Sequence, residues 1–186
     1  LSADSASAEL RVRHADVLAM AFFDYAMGAD ADIARLIDGA GTQAQLDAAQ
    51  ADALRTAEAY LRLSRGEVTR AAEATKAVSN SSSPELWLAR ARVLVEQGDL
   101  PNALESSAQA SKLAPGAPRY AAFRIKLEGL VGDASRGEQL LGSILKADTY
   151  PSVVVARAIV KQRLGDAAGD AARDAARLGE SASLRE

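Results

Sequence analysis

Cysteine is absent from this 186-residue chain, and histidine occurs once, as His14. These two scarcities exclude a disulfide scaffold, a cysteine zinc site and a histidine-rich metal site, so we expect no metal and no other cofactor. Aromatic residues make up only 4% of the sequence. Because strands favour aromatic and β-branched side chains, this argues against a large β-sandwich or barrel. No apolar run approaches the ~18–20 residues that span a bilayer, so we expect no direct insertion into a membrane.

A strong charge of either sign is also missing, since the formal net charge is -3. Residues 1–50 carry 3 basic and 8 acidic side chains, and residues 51–186 carry 19 and 17. Neither part has the strongly basic stripe of a nucleic-acid binder, so we expect no nucleic-acid partner.

Alanine, by contrast, is abundant, with 42 residues, and arginine outnumbers lysine 17 to 5. High Ala, Leu, Arg, Glu and Gln favours helix. The excess of alanine and arginine also suggests a GC-rich bacterial genome. The protein could belong to either the cytoplasm or the periplasm. Because the chain begins at Leu1, we expect a processed segment that could associate with a membrane through a missing N-terminal part.

A glycine followed at once by an acid recurs along the chain. It occurs at Gly66-Glu67, Gly98-Asp99, Gly132-Asp133 and Gly165-Asp166, with glycine intervals of 32, 34 and 33 residues. Glycine ends a helix because it tolerates the left-handed conformation. The acid accepts hydrogen bonds from the first N–H groups of the next helix, and Asp does so better than Glu. A helix, a turn and a helix every ~34 residues predict an α-solenoid.

Between the turns, apolar residues follow the helical period. One stripe on each first helix consists of Leu86, Ala89 and Val93, then Tyr120, Phe123 and Leu127, then Val153, Ala156 and Val160. The inner faces of the second helices consist of Ala103, Leu104, Ser107, Ala110 and Leu113, then Leu140, Leu141, Ile144 and Leu145. Small residues such as alanine let two helices approach closely, which gives the alanine excess a structural role.

This arrangement resembles the tetratricopeptide repeat (TPR) family, whose pattern runs aromatic, Leu-Gly, Tyr, Ala, Phe and Pro. The best-matching unit reads Trp87, Arg90-Ala91, Leu94, Ala103, Ser107 and Pro115. The resemblance implies an all-α fold, a right-handed superhelix of antiparallel helix hairpins with about four repeats. We place these repeats at 52–83, 84–117, 118–150 and 151–180.

The ends of the chain are less regular. Residues 1–8 and 181–186 read as tails, and 9–51 reads as an N-terminal helical hairpin, either a degenerate repeat or a cap that packs across the array. Within the hairpin we expect a long helix from Leu10 to Met27 and a short one from Asp32 to Ile37.

Two further features bear on these elements. Thr42 is the expected cap of a helix that runs to about Ser64. The serines before Pro84 are interpreted as an inter-repeat loop, with a hinge or a modified site as the alternative.

Arginine replaces the usual leucine of the resembling family at Arg90, Arg124 and Arg157. These three residues lie eight positions before their glycines and could stack as a column. The simpler interpretation is that their long stems cover apolar surface while the guanidinium groups reach water. The alternative is that two of them converge to hold an anionic ligand.

The resemblance also implies a concave groove, lined by the first helices, that holds a peptide or partner helix. Carried over position by position, its groove-facing residues are Thr56, Tyr60, Glu85, Leu88, Arg92, Val95, Glu96, Arg119, Ala122, Lys126, Val155, Ile159 and Gln162. The groove would be apolar with two cations, Arg92 and Lys126, which suits a protein segment with apolar anchors and acidic groups.

No catalytic set is evident, because no phosphate-binding loop or nucleophile elbow is present in its structural context. We therefore expect a non-catalytic protein-interaction module, scaffold or assembly factor rather than an enzyme. One alternative is a self-associating repeat protein. The other is an anion or small-ligand receptor, or an enzyme, that uses the arginine column. The charged helix Ala167 to Leu178 argues for a capped end and against stacking.

Overall fold

The computed structural model describes residues 30–41, 46–144 and 147–165. Every regular element in these ranges is helical, which confirms the all-α prediction. The predicted helices from Leu10 to Met27 and from Ala167 to Leu178, both tails and His14 lie outside the described residues.

The chain divides into two compact units, and unit 1 is Leu1–Asp99. Its described elements in chain order are α1 (Asp30–Gly41), α2 (Ala48–Ser64), α3 (Val68–Ala74), a 3-10 turn (Val78–Asn80) and α4 (Pro84–Glu96).

Unit 2 is Leu100–Glu186. Its described elements are α5 (Leu100–Leu113), α6 (Pro118–Leu130), α7 (Ala134–Gly142), a 3-10 turn (Ala147–Thr149) and α8 (Pro151–Arg163). The boundary between the units falls between α4 and α5, the two helices of the predicted repeat 84–117.

Proline and short polar side chains define where the helices begin. Pro84, Pro118 and Pro151 occupy the first turns of α4, α6 and α8, where a missing N–H costs nothing. The Ser83 hydroxyl accepts a hydrogen bond from the Leu86 N–H at 3.2 Å and caps α4.

The start of α2 differs from the prediction. Its cap is Asp47, not Thr42, because Asp47 forms a reciprocal capping box with Gln50. The Asp47 carboxylate accepts the Gln50 N–H at 2.8 Å, and the Gln50 side chain accepts the Asp47 N–H at 3.0 Å. The preceding helix also continues to Gly41 instead of ending near Ile37, since glycine in a helix costs only about 1 kcal/mol.

The repeating glycines end their helices as predicted at three of the four positions. Gly66, Gly98 and Gly165 have φ angles of 72°, 77° and 80°, which is the left-handed region. Gly132 does not adopt this conformation. Instead its missing side chain leaves room for the Glu128 carboxylate and for Leu104. Glycine at this position therefore permits close approach rather than an unusual turn.

The acids after these glycines differ in what they cap. The Asp133 carboxylate accepts the N–H groups of Ser135 and Arg136 at the start of α7. Glu67 makes no side-chain cap bond, which agrees with the expectation that Glu caps less well than Asp. Its carboxylate pairs with Arg62 and Arg70 instead.

The core of unit 1 joins α1, α2 and α4. It consists of the buried residues Ile33, Ala57, Ala59, Tyr60, Leu61 and Ala89. Half of these six residues are alanine, whose small side chain lets helix backbones approach closely.

The core of unit 2 lies between α6, α7 and α8. Ile125, Ala156 and Val160 are its buried members, and Leu140 and Leu141 pack against them. Among the residues predicted to lie inside, Leu113 is 41% exposed because it lies at the very end of α5.

Candidate functional site

Four of the residues predicted to line the groove are buried. Thr56, Tyr60 and Leu88 have 0% exposed surface and Ala122 has 3%. Their side chains therefore belong to the interior of the two units and offer no surface to a partner, which corrects the expectation for these four. The remaining nine are at least partly accessible: Glu85, Arg92, Val95, Arg119 and Ile159 are half-buried, and Glu96, Lys126, Val155 and Gln162 are exposed.

Arg92, one of the two predicted groove cations, already has an aromatic neighbour. Its guanidinium carbon lies 5.3 Å from the centre of the Tyr60 ring, the geometry of a cation–π contact. Tyr60 shares a buried cluster with Ile33 of α1. Repeat spacing alone cannot reveal this, because α1 precedes the regular repeats.

In unit 2, α6 and α8 lie side by side and run in the same direction. Arg163 at the end of α8 donates a hydrogen bond to the carbonyl of Leu130 at the end of α6, at 2.8 Å. A side chain at Gly129 would meet Ile159 and Val160. The contact between these two parallel first helices is therefore close along its C-terminal half.

The exposed side of these two helices forms what we call the open face of unit 2. Helical spacing places Lys126 and Leu130 together on α6, and Val155, Ile159 and Gln162 together on α8. Leu130 is 45% exposed and Val155 is 41% exposed. Two large apolar side chains, Leu130 and Val155, and the cation Lys126 are thus accessible on these two adjacent helices. Leu130 was not among the predicted groove residues, although it is spaced four residues from Lys126.

The charge of the open face is positive. Lys126 makes no ion pair or hydrogen bond with the described part of the chain. The single carboxylate of α6, Glu128, is only 2% exposed, and its Oε2 accepts the Asp133 N–H at 3.1 Å. Helix α8 has no acidic residue. An anionic group brought to this face would therefore meet Lys126 without competition from an exposed carboxylate of these helices.

The arginine column has structural partners within each unit. Arg90 donates to the carbonyl of Thr75, the residue that ends α3, at 3.2 Å. Arg124 lies 3.8 Å from the Glu128 carboxylate. Arg157 is half-buried. These contacts favour the structural interpretation of the column over a ligand-binding one.

The serine loop before α4 is held by side-chain hydrogen bonds. Ser81 donates to the carboxylate of Asp52, which is 8% exposed and also pairs with Arg55. The Ser81 carbonyl accepts the indole N–H of Trp87 at 3.1 Å. Sequence analysis overlooked Asp52, because nothing in the chain marks a partner 29 residues from its serine.

Within residues 30–41, 46–144 and 147–165, no group of three or more His, Cys, Asp or Glu side chains could hold a metal ion. In the same described part, no helix is long and apolar enough to cross a bilayer.

Stacked helix hairpins with paired first helices define a helical-repeat protein, and comparison with solved structures makes the class more specific. The crystal structure of a thermophilic TPR protein from Thermus thermophilus is similar to this chain, with a TM-score of 0.65 and 19% sequence identity. The match covers 94% of this chain and 95% of that one. The fold is thus TPR-like, an α-solenoid.

No family model and no curated protein matches the sequence.

Proposed function

We propose that this chain is a non-catalytic protein-interaction module that holds a partner helix or peptide on the open face of unit 2. The observation that carries the proposal is the combination of exposed Leu130 and Val155 with Lys126 on two adjacent parallel helices. An apolar surface with a cation and no exposed carboxylate is a binding surface for an amphipathic, acidic segment.

The dimensions of the face support a helical partner. Helices α6 and α8 contain 13 residues each, which corresponds to roughly 20 Å of helix. A partner helix of three to four turns matches that length. Its apolar residues would contact Val155, Ile159 and Leu130, and a carboxylate would pair with Lys126. A nucleic acid would use the cation but leave the apolar side chains without a partner.

The other accessible residues predicted from the repeat register are proposed as peripheral contacts. These are Glu85, Val95 and Glu96 in unit 1 and Arg119 in unit 2. Arg92 is a poor target for a charge reversal, because its loss would also remove the contact with Tyr60.

The test is a selection of helical peptides from a random displayed library on the wild-type protein. We expect enriched peptides to carry two apolar residues four positions apart and at least one carboxylate. Their affinity should fall at least about tenfold for the double variant Lys126→Glu, Val155→Asp, because the cation and an apolar contact are both lost.

The matched control is Lys112→Glu, Leu113→Asp at the end of α5. It makes the same chemical changes in the same unit, and Leu113 and Val155 are both 41% exposed. Selected peptides should bind this control like the wild type. Equal affinities for all three proteins by fluorescence anisotropy would contradict the proposal.

A further inference from the structure

Equivalent positions on the four first helices differ in burial only at α8. The residues ten positions before each repeat glycine are Thr56, Leu88, Ala122 and Val155. The first three have 0%, 0% and 3% exposed surface, whereas Val155 has 41%. The residues seven positions before each glycine are Ala59, Ala91, Ile125 and Ala158. The first three are fully buried, and Ala158 is half-buried. Helix α8 therefore exposes an edge that its three counterparts bury.

Within each unit, the element that covers this edge is the next first helix. Ala59 of α2 shares a buried cluster with Ala89 of α4. Ile125 of α6 shares a buried cluster with Ala156 of α8. Ala89 and Ala156 both lie nine positions before their repeat glycines. Both units therefore cover the edge in the same way, with an alanine of the following first helix.

In the part of the chain that the structure describes, α8 is the last element. Its uncovered side, which we call the end edge, consists of Val155, Ala158 and Gln162. These residues are spaced three and four positions apart, so they lie on one side of the helix. Because Ala158 is as small as Ala59, another helix backbone can approach α8 closely there. The end edge thus fits a helix that places a small residue opposite Ala158.

The charge of α8 indicates which kind of helix this is. The helix contains Arg157, Lys161 and Arg163 and no acidic residue. Pairing two copies of α8 would bring like charges together, which opposes a contact between two copies of this chain. An acidic helix would instead be attracted to this end of unit 2.

We propose that the end edge is a second binding surface, on which an acidic helix of a partner protein stacks in place of a further first helix, parallel to α8. The parallel direction follows the packing of α8 on α6, whose C-terminal ends are joined by the Arg163 hydrogen bond to the Leu130 carbonyl. This surface goes beyond the open face, because α6 takes no part in it. Val155 borders both surfaces, and Ala158 belongs to the end edge alone.

The experiment uses the full chain with Lys126→Glu and Leu130→Asp, which disable the α6 part of the open face and leave the end edge intact. Helical peptides are selected on this parent protein from a random displayed library. We expect enriched peptides to carry net negative charge and a small residue three or four positions from an apolar one. Their affinity should fall at least about tenfold when Ala158→Glu is added, because a bulky anion then occupies the point of closest approach.

Two control variants separate the effects of size and charge. Ala158→Ser keeps a small side chain at the same position, so its affinity should stay within about twofold of the parent. Gln139→Glu adds one negative charge at an exposed position of α7 and should leave binding unchanged. Failure to enrich such peptides, or equal affinity for the parent and Ala158→Glu, would overturn the inference. Neither result bears on the open face, because Lys126 and Leu130 are replaced in every protein used.

The direction of the bound helix is measured on the parent protein, so this test needs no substitution in α8. A nitroxide at the N-terminus of an enriched peptide should broaden the amide signals of Val153 to Val155 and leave those of Gln162 to Leu164 sharp. Broadening at the opposite end of α8, or none in α8, would contradict stacking as a further first helix.

Two measurements without peptide test the other occupants of the end edge. We expect light scattering of the unmodified chain to give a concentration-independent mass. A concentration-dependent dimer that Ala158→Glu abolishes would assign the end edge to a second copy. We also expect Ala158→Glu to leave hydrogen exchange in residues 166–186 unchanged. Faster exchange there would assign the end edge to the chain's own C-terminal segment, and either assignment would overturn the inference.

Discussion

At the scale of single residues, arginine in this protein binds backbone carbonyls and carboxylates. Arg90 donates to Thr75 at the end of α3, and Arg163 donates to Leu130 at the end of α6. The last carbonyls of a helix lack intrahelical donors and carry partial negative charge, so a guanidinium there is stabilising. Arg62 bridges Glu58 and Glu67 across a turn. The excess of arginine therefore has structural roles at helix ends.

Glu67 should give the stability of the protein a measurable dependence on pH. Hydrogen bonding from Arg70 lowers the pKa of the Glu67 carboxyl below its usual 4.5, partial desolvation opposes this, and Arg62 adds to the lowering. A lowered folded-state pKa means that the contribution is present above the unfolded-state pKa and is lost as the pH falls through the folded-state value. We expect Glu67→Gln to lower the Tm near pH 7, with the difference shrinking as the pH falls below 4.5 and through the lower folded-state pKa.

Thermal melts of the two proteins across that pH range provide the measurement. Glu73→Gln is the control, because the Glu73–Lys76 pair is far more exposed, with 69% and 77% of the side chains accessible. A Tm difference for Glu67→Gln that does not change with pH would show that the ion pairs with Arg62 and Arg70 are not its source.

At the scale of elements, proline marks three of the helix starts. Pro84, Pro118 and Pro151 begin α4, α6 and α8 because the proline ring is compatible only with a helix's first turn. Thr42 was a plausible cap, but Asp47 with Gln50 satisfies two backbone N–H groups at once. Such a choice between neighbouring polar residues is decided by geometry that local sequence does not contain.

Gly132 illustrates the same limit. Its spacing predicted a left-handed turn, yet the structure uses the absence of a side chain to seat the Glu128 carboxylate. A glycine tolerates both unusual backbone angles and close contacts. Which of these two properties a position requires depends on its tertiary contacts.

The packing of α7 on α8 should depend on a paired fit of Gly137 and Val160. A methyl group at Gly137 would lie 2.8 Å from Val160 Cγ2. We expect Gly137→Ala to destabilise the protein by about 1–3 kcal/mol through overpacking and Val160→Ala by about 2 kcal/mol through a cavity. The double variant should be less destabilised than the sum, by at least about 0.5 kcal/mol.

Urea denaturation of the four proteins in this cycle measures the coupling. Gly142→Ala, in the same helix with nothing within 4 Å of the new methyl group, should be neutral or slightly stabilising. Strictly additive effects of Gly137→Ala and Val160→Ala would show that the two side chains do not compete for space.

At the scale of the whole molecule, the repeat period was readable but the accessible surface was not. Glycine spacing and helical periodicity predicted stacked hairpins, and the similarity to the Thermus TPR protein agrees with that architecture. The burial of Thr56, Tyr60 and Leu88 depends on which helices cover them. Repeat register assigns a side chain to a face of its helix, but whether another element covers that face is a tertiary property.

The two units should respond separately to substitutions. The sole tryptophan, Trp87, lies in α4 of unit 1, so its fluorescence reports unit 1, whereas circular dichroism reports both. Each unit has its own core, and repeat arrays are stabilised by local contacts. We expect Gly137→Ala in unit 2 to shift the urea midpoint by circular dichroism more than the midpoint by fluorescence. Equal shifts would indicate one cooperative transition.

The packing of Val160 against two glycines has a consequence for how α8 aligns with its neighbouring helices. Alanine-covered helices are smooth and self-similar, so two of them can align in several sliding registers of comparable energy. Val160 is a branched side chain that projects toward Gly129 on one neighbour and Gly137 on another. Sliding either helix by one turn would place a larger residue against it. The two glycines thus select one alignment of α8 with α6 and α7 and favour a unique native packing.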